Sequence, residues 1–116
     1  MEWKPFAMKD PLFLPGSAHT AMATLPVSPA GLNCTIELFL SLDGGQTKIA
    51  TSGPQAFTST EEGVAVSLAV PIPTPTVGAS YGVYIVVASG GVVIAGFQSK
   101  ENVIVPVVGT PTVTWG

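Results

Sequence analysis

The sequence contains no arginine, and charged side chains of any kind are scarce. Of the 116 residues, four are lysines and seven are acidic, so charged residues make up only 9% of the chain. An ordinary soluble domain has about 25%. Arginine is the residue most used for bidentate contacts to phosphates and bases, so its absence argues against nucleic-acid binding. With a net charge of −3, it also argues against binding to an anionic membrane surface.

A surface this poor in charge does not readily keep a monomer dispersed in water. Apolar residues make up an ordinary 47% of the chain. Two explanations follow: either Ser, Thr and Gly cover the surface, or much of the surface is buried in an assembly. We favour the assembly, because the mean hydropathy of the chain is clearly positive.

Cysteine and histidine occur once each, as Cys34 and His19. One cysteine forms no intrachain disulfide, and these two residues are too few for a zinc site. No Gly-x-Ser-x-Gly segment marks a nucleophilic serine. The adjacent carboxylates Glu61 and Glu62 fall in a predicted turn, where they diverge instead of facing each other across a cleft. We therefore predict no catalytic residues, no metal and no cofactor, and a protein that is not an enzyme.

The strongest structural pattern that is present runs from Leu32 to Leu42. Every second residue in it is apolar, and a period of two is typical of a strand that buries one face. The other parity, which includes Glu37 and Phe39, is mixed and is expected to meet water or a partner. Residues 43–45, Asp-Gly-Gly, predict the turn that ends this strand.

The rest of the chain also favours strands. Residues 63–99 carry no charge, but Pro71, Pro73 and Pro75 and the pair Gly90-Gly91 exclude a membrane-spanning helix there. Residues 64–70 alternate, residues 81–88 are apolar on both faces, and residues 92–98 and 102–108 read as two further strands. About eight short strands without helical periodicity predict an all-β fold, an antiparallel β-sandwich. Ten residues are predicted to form its core: Cys34, Ile36, Leu38, Leu40, Val64, Val66, Leu68, Val83, Ile85 and Val87.

The two ends differ from the body. Residues 1–17 combine prolines with large apolar side chains, which predicts an extended arm. Residues 18–108 form the sandwich, and residues 109–116 a C-terminal strand or arm. Either arm lies along its own domain or docks on another subunit, where its apolar side chains are buried. The candidate interface residues are Trp3, Phe6, Leu12, Phe13, Leu14, Val113 and Trp115.

Residues 78–84, Gly-Ala-Ser-Tyr-Gly-Val-Tyr, are followed by the Gly90-Gly91 turn and by the valine-rich residues 101–106. Over about residues 18–107 this pattern resembles immunoglobulin-like and fibronectin-type-III-like modules. The resemblance implies that Tyr81 is the tyrosine that packs the strand corner. The disulfide of immunoglobulin domains is missing, since Cys34 has no partner. Such modules act in binding and assembly.

Stand-alone modules of this kind look like decoration, capsid or tail proteins of tailed bacteriophages. The first functional hypothesis is therefore a virion component, made in the host cytoplasm, whose partners are itself or other virion proteins. The N-terminus has no basic start followed by an apolar run, which agrees with a protein made without a secretory signal. The alternative is an extracellular or cell-surface adhesion module, including a carbohydrate-binding one with Trp3, Trp115 or Phe39 as its platform.

Overall fold

The computed structural model describes residues 3–8, 18–72, 80–104 and 110–116, and these residues contain strands and turns but no helix. The prediction of an all-β fold with about eight strands is confirmed. The strands are β1 Lys4–Phe6, β2 Ala18–Leu25, β3 Asn33–Ser41, β4 Ala50–Thr51, β5 Gln55–Thr58, β6 Val64–Pro71, β7 Ser80–Ser89 and β8 Val92–Ile104.

The strands form two sheets. The larger sheet has the order β1-β8-β7-β3-β4, and β5 pairs with the first half of β3. The smaller sheet consists of β2 and β6. All pairs are antiparallel except β1 with β8, which is parallel. The order β8-β7-β3-β4, facing the β2-β6 pair, matches G-F-C-C′ facing B-E in the immunoglobulin fold, which confirms the immunoglobulin-like sandwich.

The core lies between the sheets, where the alternating strands direct their apolar sides. Eight of the ten predicted core residues are buried, and Val64 and Ile85 are half-buried and pack against the same cluster. Tyr81 is also fully buried, at the start of β7. That is the position that the resemblance implied for the corner tyrosine.

β3 ends at Ser41, so the prediction that Leu42 belongs to its buried face is wrong. Leu42 is 45% exposed. Ser41 is buried, and its hydroxyl accepts a hydrogen bond from the backbone N–H of Gly45 at 3.1 Å, which turns the chain before Leu42 continues the strand. The last buried residue of that parity is therefore Leu40, two positions before the sequence pattern ends.

The break expected between residues 98 and 102 is also wrong, because β8 is one continuous strand. Gly82 of β7 pairs with Asn102 of β8, and Tyr84 pairs with Gln98. The register therefore shifts between these two pairs, and three residues of β8 lie opposite the single residue Val83. The Ser99 hydroxyl accepts a hydrogen bond from the Val83 N–H at 3.3 Å and donates one to the Glu101 carbonyl. A polar bulge therefore bridges what the sequence suggested was a loop. Residues 105–108, predicted to extend a second strand, lie outside the described residues.

The parity of β3 is tested by Leu38 and Leu42, which are the same residue type four positions apart. Leu38 is 8% exposed and packs in the core, so Leu38→Ala is expected to lower the free energy of unfolding by about 2–5 kcal/mol. Leu42→Ala, the matched control, should change it by less than about 0.5 kcal/mol. Urea unfolding monitored by circular dichroism measures both. Equal losses at the two positions would contradict the burial described for β3.

Candidate interaction surfaces

The outer face of the larger sheet carries an aromatic cluster. Phe39 of β3 and Tyr84 of β7 are cross-strand partners, and their rings stack with centroids 5.4 Å apart and planes 15° apart. Trp3 packs edge-on against both, with centroids 5.0 Å from Tyr84 and 6.4 Å from Phe39. Phe39 and Tyr84 are only 1% and 2% exposed. A side chain from the N-terminal segment therefore covers the centre of this face.

The expectation that Phe39 lies on a mixed, accessible face is consequently wrong, and Phe39 offers no open platform for a sugar ring. Lys48 also covers it, with its ammonium nitrogen 5.2 Å from the ring centroid. The same nitrogen lies 2.9 Å from a carboxylate oxygen of Glu37, whose other oxygen accepts a hydrogen bond from the Thr51 hydroxyl. Burial raises the pKa of Glu37, but the hydrogen bonds from Lys48 and Thr51 and the charge of Lys48 outweigh it and lower that pKa below its ordinary value.

Hydrogen bonds of Ser41 and Asp43 fix the conformation of the loop that follows β3, and this loop lies beside the aromatic cluster. The Ser41 hydroxyl donates a hydrogen bond to Asp43 at 2.7 Å, and the Thr47 N–H donates one to the same Asp43 oxygen at 2.8 Å. The hydrogen bonds from Thr47 and then from Ser41 lower the pKa of Asp43 to about 2. Burial, and then the nearby Asp43 charge, raise the pKa of Tyr84 above its ordinary value.

Gly45 is the point where this loop touches the rings. Its φ is +90°, and a Cβ there would lie 3.0 Å from Cζ2 of Trp3 and 3.1 Å from Cδ1 of Tyr84. A side chain at this position would displace Trp3 or Tyr84. The Asp-Gly-Gly sequence is therefore needed for close packing as well as for the turn.

The predicted interface residues fall into three groups. Trp3 packs within the aromatic cluster, and Phe6 is half-buried against the core. Leu12, Phe13 and Leu14 lie outside the described residues. Val113 and Trp115 are 71% and 91% exposed. The contacts of Trp3 and Phe6 are made within the chain, and an interface role for the seven residues stays a prediction.

An exposed apolar surface that the sequence analysis did not identify lies at the start of β8. Val92, Val93 and Ile94 are 63%, 46% and 50% exposed. They follow the Gly90-Gly91 turn, and a register shift between Val87 and Ala88 interrupts their pairing with β7. The sequence does contain a signal for this surface. When a strand buries only one face, three successive branched apolar residues leave at least one of them on the exposed face.

Among the clefts of the described chain, two apolar ones open between the sheets. The larger, about 380 Å³, lies between β2 and the strands β1, β3, β7 and β8 and is lined by Met8, Leu25, Ile36 and Phe97, among others. The smaller, about 110 Å³, is lined by His19 together with Met8, Leu40 and Val70. Cys34 is buried in the core away from both lining sets. Within the described residues, no three His, Cys, Asp or Glu side chains come together as metal ligands.

Across residues 3–8, 18–72, 80–104 and 110–116, no helix is long and apolar enough to cross a bilayer.

Comparison with known proteins yields one structural likeness and no sequence relative. No protein-family model and no curated protein sequence matches the chain. Among solved structures, the chain is similar to the extracellular domain of the voltage-gated sodium channel beta4 subunit, described as parallel homodimers that explain a role in cell-cell adhesion. The two are 8% identical, the match covers 92% of this chain and 97% of that one, and the TM-score is 0.46. Because the identity and the TM-score are this low, the assignment of the immunoglobulin-like fold rests on the strand order described above and not on this likeness.

The contact between Gly45 and the rings is tested by comparing two adjacent glycines. Gly44 and Gly45 both have positive φ, but a Cβ on Gly44 would meet nothing within 4 Å. Gly44→Ala should therefore cost only the conformational penalty of about 1–2 kcal/mol. Gly45→Ala should cost at least about 1 kcal/mol more because it overpacks the cluster. Unfolding curves measure the difference. Tryptophan fluorescence in a Trp115→Phe background reports Trp3, and it should change only for Gly45→Ala.

The low pKa of Asp43 predicts a defined acid response. The folded pKa of about 2 lies below the unfolded value of about 3.9. The ionised carboxylate therefore stabilises the fold above pH 4, and that contribution is lost as the pH falls towards 2. A carboxyl NMR titration should place Asp43 near 2, and Ser41→Ala should raise that pKa because it removes a donor. The exposed-site control Ser67→Ala should leave it unchanged. An Asp43 midpoint near 3.9 in the folded wild-type protein would refute the described loop.

Proposed function

We propose that the protein is a non-catalytic interaction module that associates with copies of itself through apolar contacts. The observation that carries the proposal is the set of large hydrophobic side chains left exposed in the described chain: Met22, Leu42, Val92, Val93, Ile94, Val113 and Trp115. With 9% charged residues, the surface has little charge to offset them. Exposed apolar groups that gather in patches are typical of interaction sites.

Two biological settings fit this activity. A bacteriophage virion component, the setting predicted first from the sequence, buries such surfaces against neighbouring subunits. An extracellular adhesion module brings them together between two copies. The immunoglobulin-like strand order supports binding or assembly in either setting. Whether the protein copurifies with particles or mediates attachment between coated beads distinguishes the two.

Carbohydrate binding is a second candidate, favoured by Trp115. With 91% of its surface exposed, it is the aromatic side chain in the described chain most accessible for stacking on a sugar ring. Trp3 is less suitable because it packs edge-on against Phe39 and Tyr84. Binding on a glycan array that Trp115→Ala abolishes would support this candidate.

Self-association is tested by size-exclusion chromatography with light scattering over a range of protein concentrations. We expect a mean mass that rises to at least twice that of one chain. Because the contacts are apolar and the chain is poorly charged, association should persist or strengthen between low and high salt, particularly in sulfate. A species that remains monomeric throughout would overturn the proposal, and association that disappears with salt would contradict its apolar basis.

A further inference from the structure

One edge of β8 is open along its first half. β7 pairs with one side of β8, whereas β1 covers the other side only at Phe97–Ser99. The segment Val92–Gly96 therefore has no strand on its outer side within the described chain. No lysine or proline lies in it, and the nearest charged residue ahead is Lys100. Proteins ordinarily protect such an edge with charge, proline, a bulge or a cover, and here a bulge is the device present.

The C-terminal residues have the composition of a strand but pair with none in the described chain. Thr112–Trp115 reads Thr-Val-Thr-Trp, which consists of β-branched and aromatic residues. All seven residues from 110 to 116 are exposed, and Trp115 is the most exposed large hydrophobic residue described. One contact would account for both unpaired features, because an extended peptide adds readily to an exposed sheet edge.

The tail is too short to reach the open edge of its own chain. A tail that paired within its own chain would have to run from Ile104, where the described part of β8 ends, to Gly96, where the open edge begins. Ile104 pairs with Ser80 and Gly96 pairs with Val86, so these two points are six β7 residues, or about 20 Å, apart. The chain would also have to reverse direction after Ile104 and pass around β1. The eight Cα–Cα steps from Ile104 to Thr112 span at most about 29 Å when fully extended. A turn that reverses the chain takes about four residues. The rest is too short for about 20 Å and a detour around β1, so the edge that the tail can pair with belongs to another copy.

We propose that residues Thr112–Trp115 of one copy add as a strand to the Val92–Gly96 edge of a second copy. This inference rests on the proposed self-association and names the two surfaces that make it. Backbone hydrogen bonds would supply much of the contact. Val113 and Trp115 share one face of the added strand and would cover the exposed apolar side chains of Val92–Ile94 that lie on that same face. Because the two surfaces differ, the contact is heterologous: reciprocal exchange closes a dimer, and one-way addition builds a chain.

Complementation between two variants tests this arrangement. One variant lacks residues 110–116 and keeps the edge; the other carries Ile94→Lys and keeps the tail. Each alone should be monomeric at concentrations where the full chain associates, and an equimolar mixture should form a 1:1 complex by light scattering. Ala69→Lys is the matched control, since Ala69 is an exposed apolar residue of β6 that belongs to neither proposed surface, and it should associate like the unmodified chain.

A labelled peptide of residues 110–116 provides a second measurement. By fluorescence anisotropy it should bind the tail-deleted chain, and Trp115→Ala in the peptide should weaken binding at least tenfold. Circular dichroism and unfolding curves establish that each variant is folded.

The outcomes separate the inference from the proposed function. If the tail-deleted chain still associates, the inference is overturned and self-association stands. If Ile94→Lys abolishes association but mixing restores nothing and the peptide does not bind, two edges pair directly and the tail has no part. If the full chain never associates, both proposals fail.

Discussion

The rest of the structure depends on the two-sided burial of the central pair β3 and β7. Their inner faces meet the β2-β6 pair across the core, and their outer faces carry Phe39 and Tyr84, which are almost as inaccessible as the core itself. An antiparallel sheet commonly leaves one face to water. In this protein the centre of the outer face carries large aromatic side chains that do not favour contact with water, and the N-terminal segment of the same chain covers them.

This constraint explains features that are far apart in sequence. Trp3 must lie over Tyr84, so β1 runs parallel to β8 at the sheet edge, and the Met8 N–H is held by the Glu101 carboxylate at 2.9 Å. The loop after β3 must approach the same rings, which requires glycine at position 45. Two of the few charged side chains lie beside the same aromatic cluster: Lys48 lies over the Phe39 ring and forms an ion pair with Glu37. The polar groups thus hold the edges of an apolar cluster in place.

The sequence predicts what alternation alone determines. The inner faces of β3 and β6 follow from a period of two, because each step along a strand changes the face. Alternation did not reveal that Phe39 is buried, since the residue that covers it is 36 positions away. Nor did it reveal the bulge at Ser99, because the hydroxyl replaces backbone pairing that no local pattern records. The seven candidate interface residues are predicted from the apolar character of the terminal arms. That character does not distinguish an intrachain cover such as Trp3 from an exposed side chain such as Trp115.

The open start of β8 and the exposed tail have the same physical origin. A chain with eleven charged residues has few means of protecting sheet edges by charge, so it relies on covering segments. β1 covers three residues of β8 and leaves Val92–Gly96 open. Had these residues carried a lysine, the edge would repel an added strand; as valine, isoleucine, alanine and glycine, they accept one. The same scarcity of charge that makes the isolated surface unfavourable in water therefore favours strand addition from another copy.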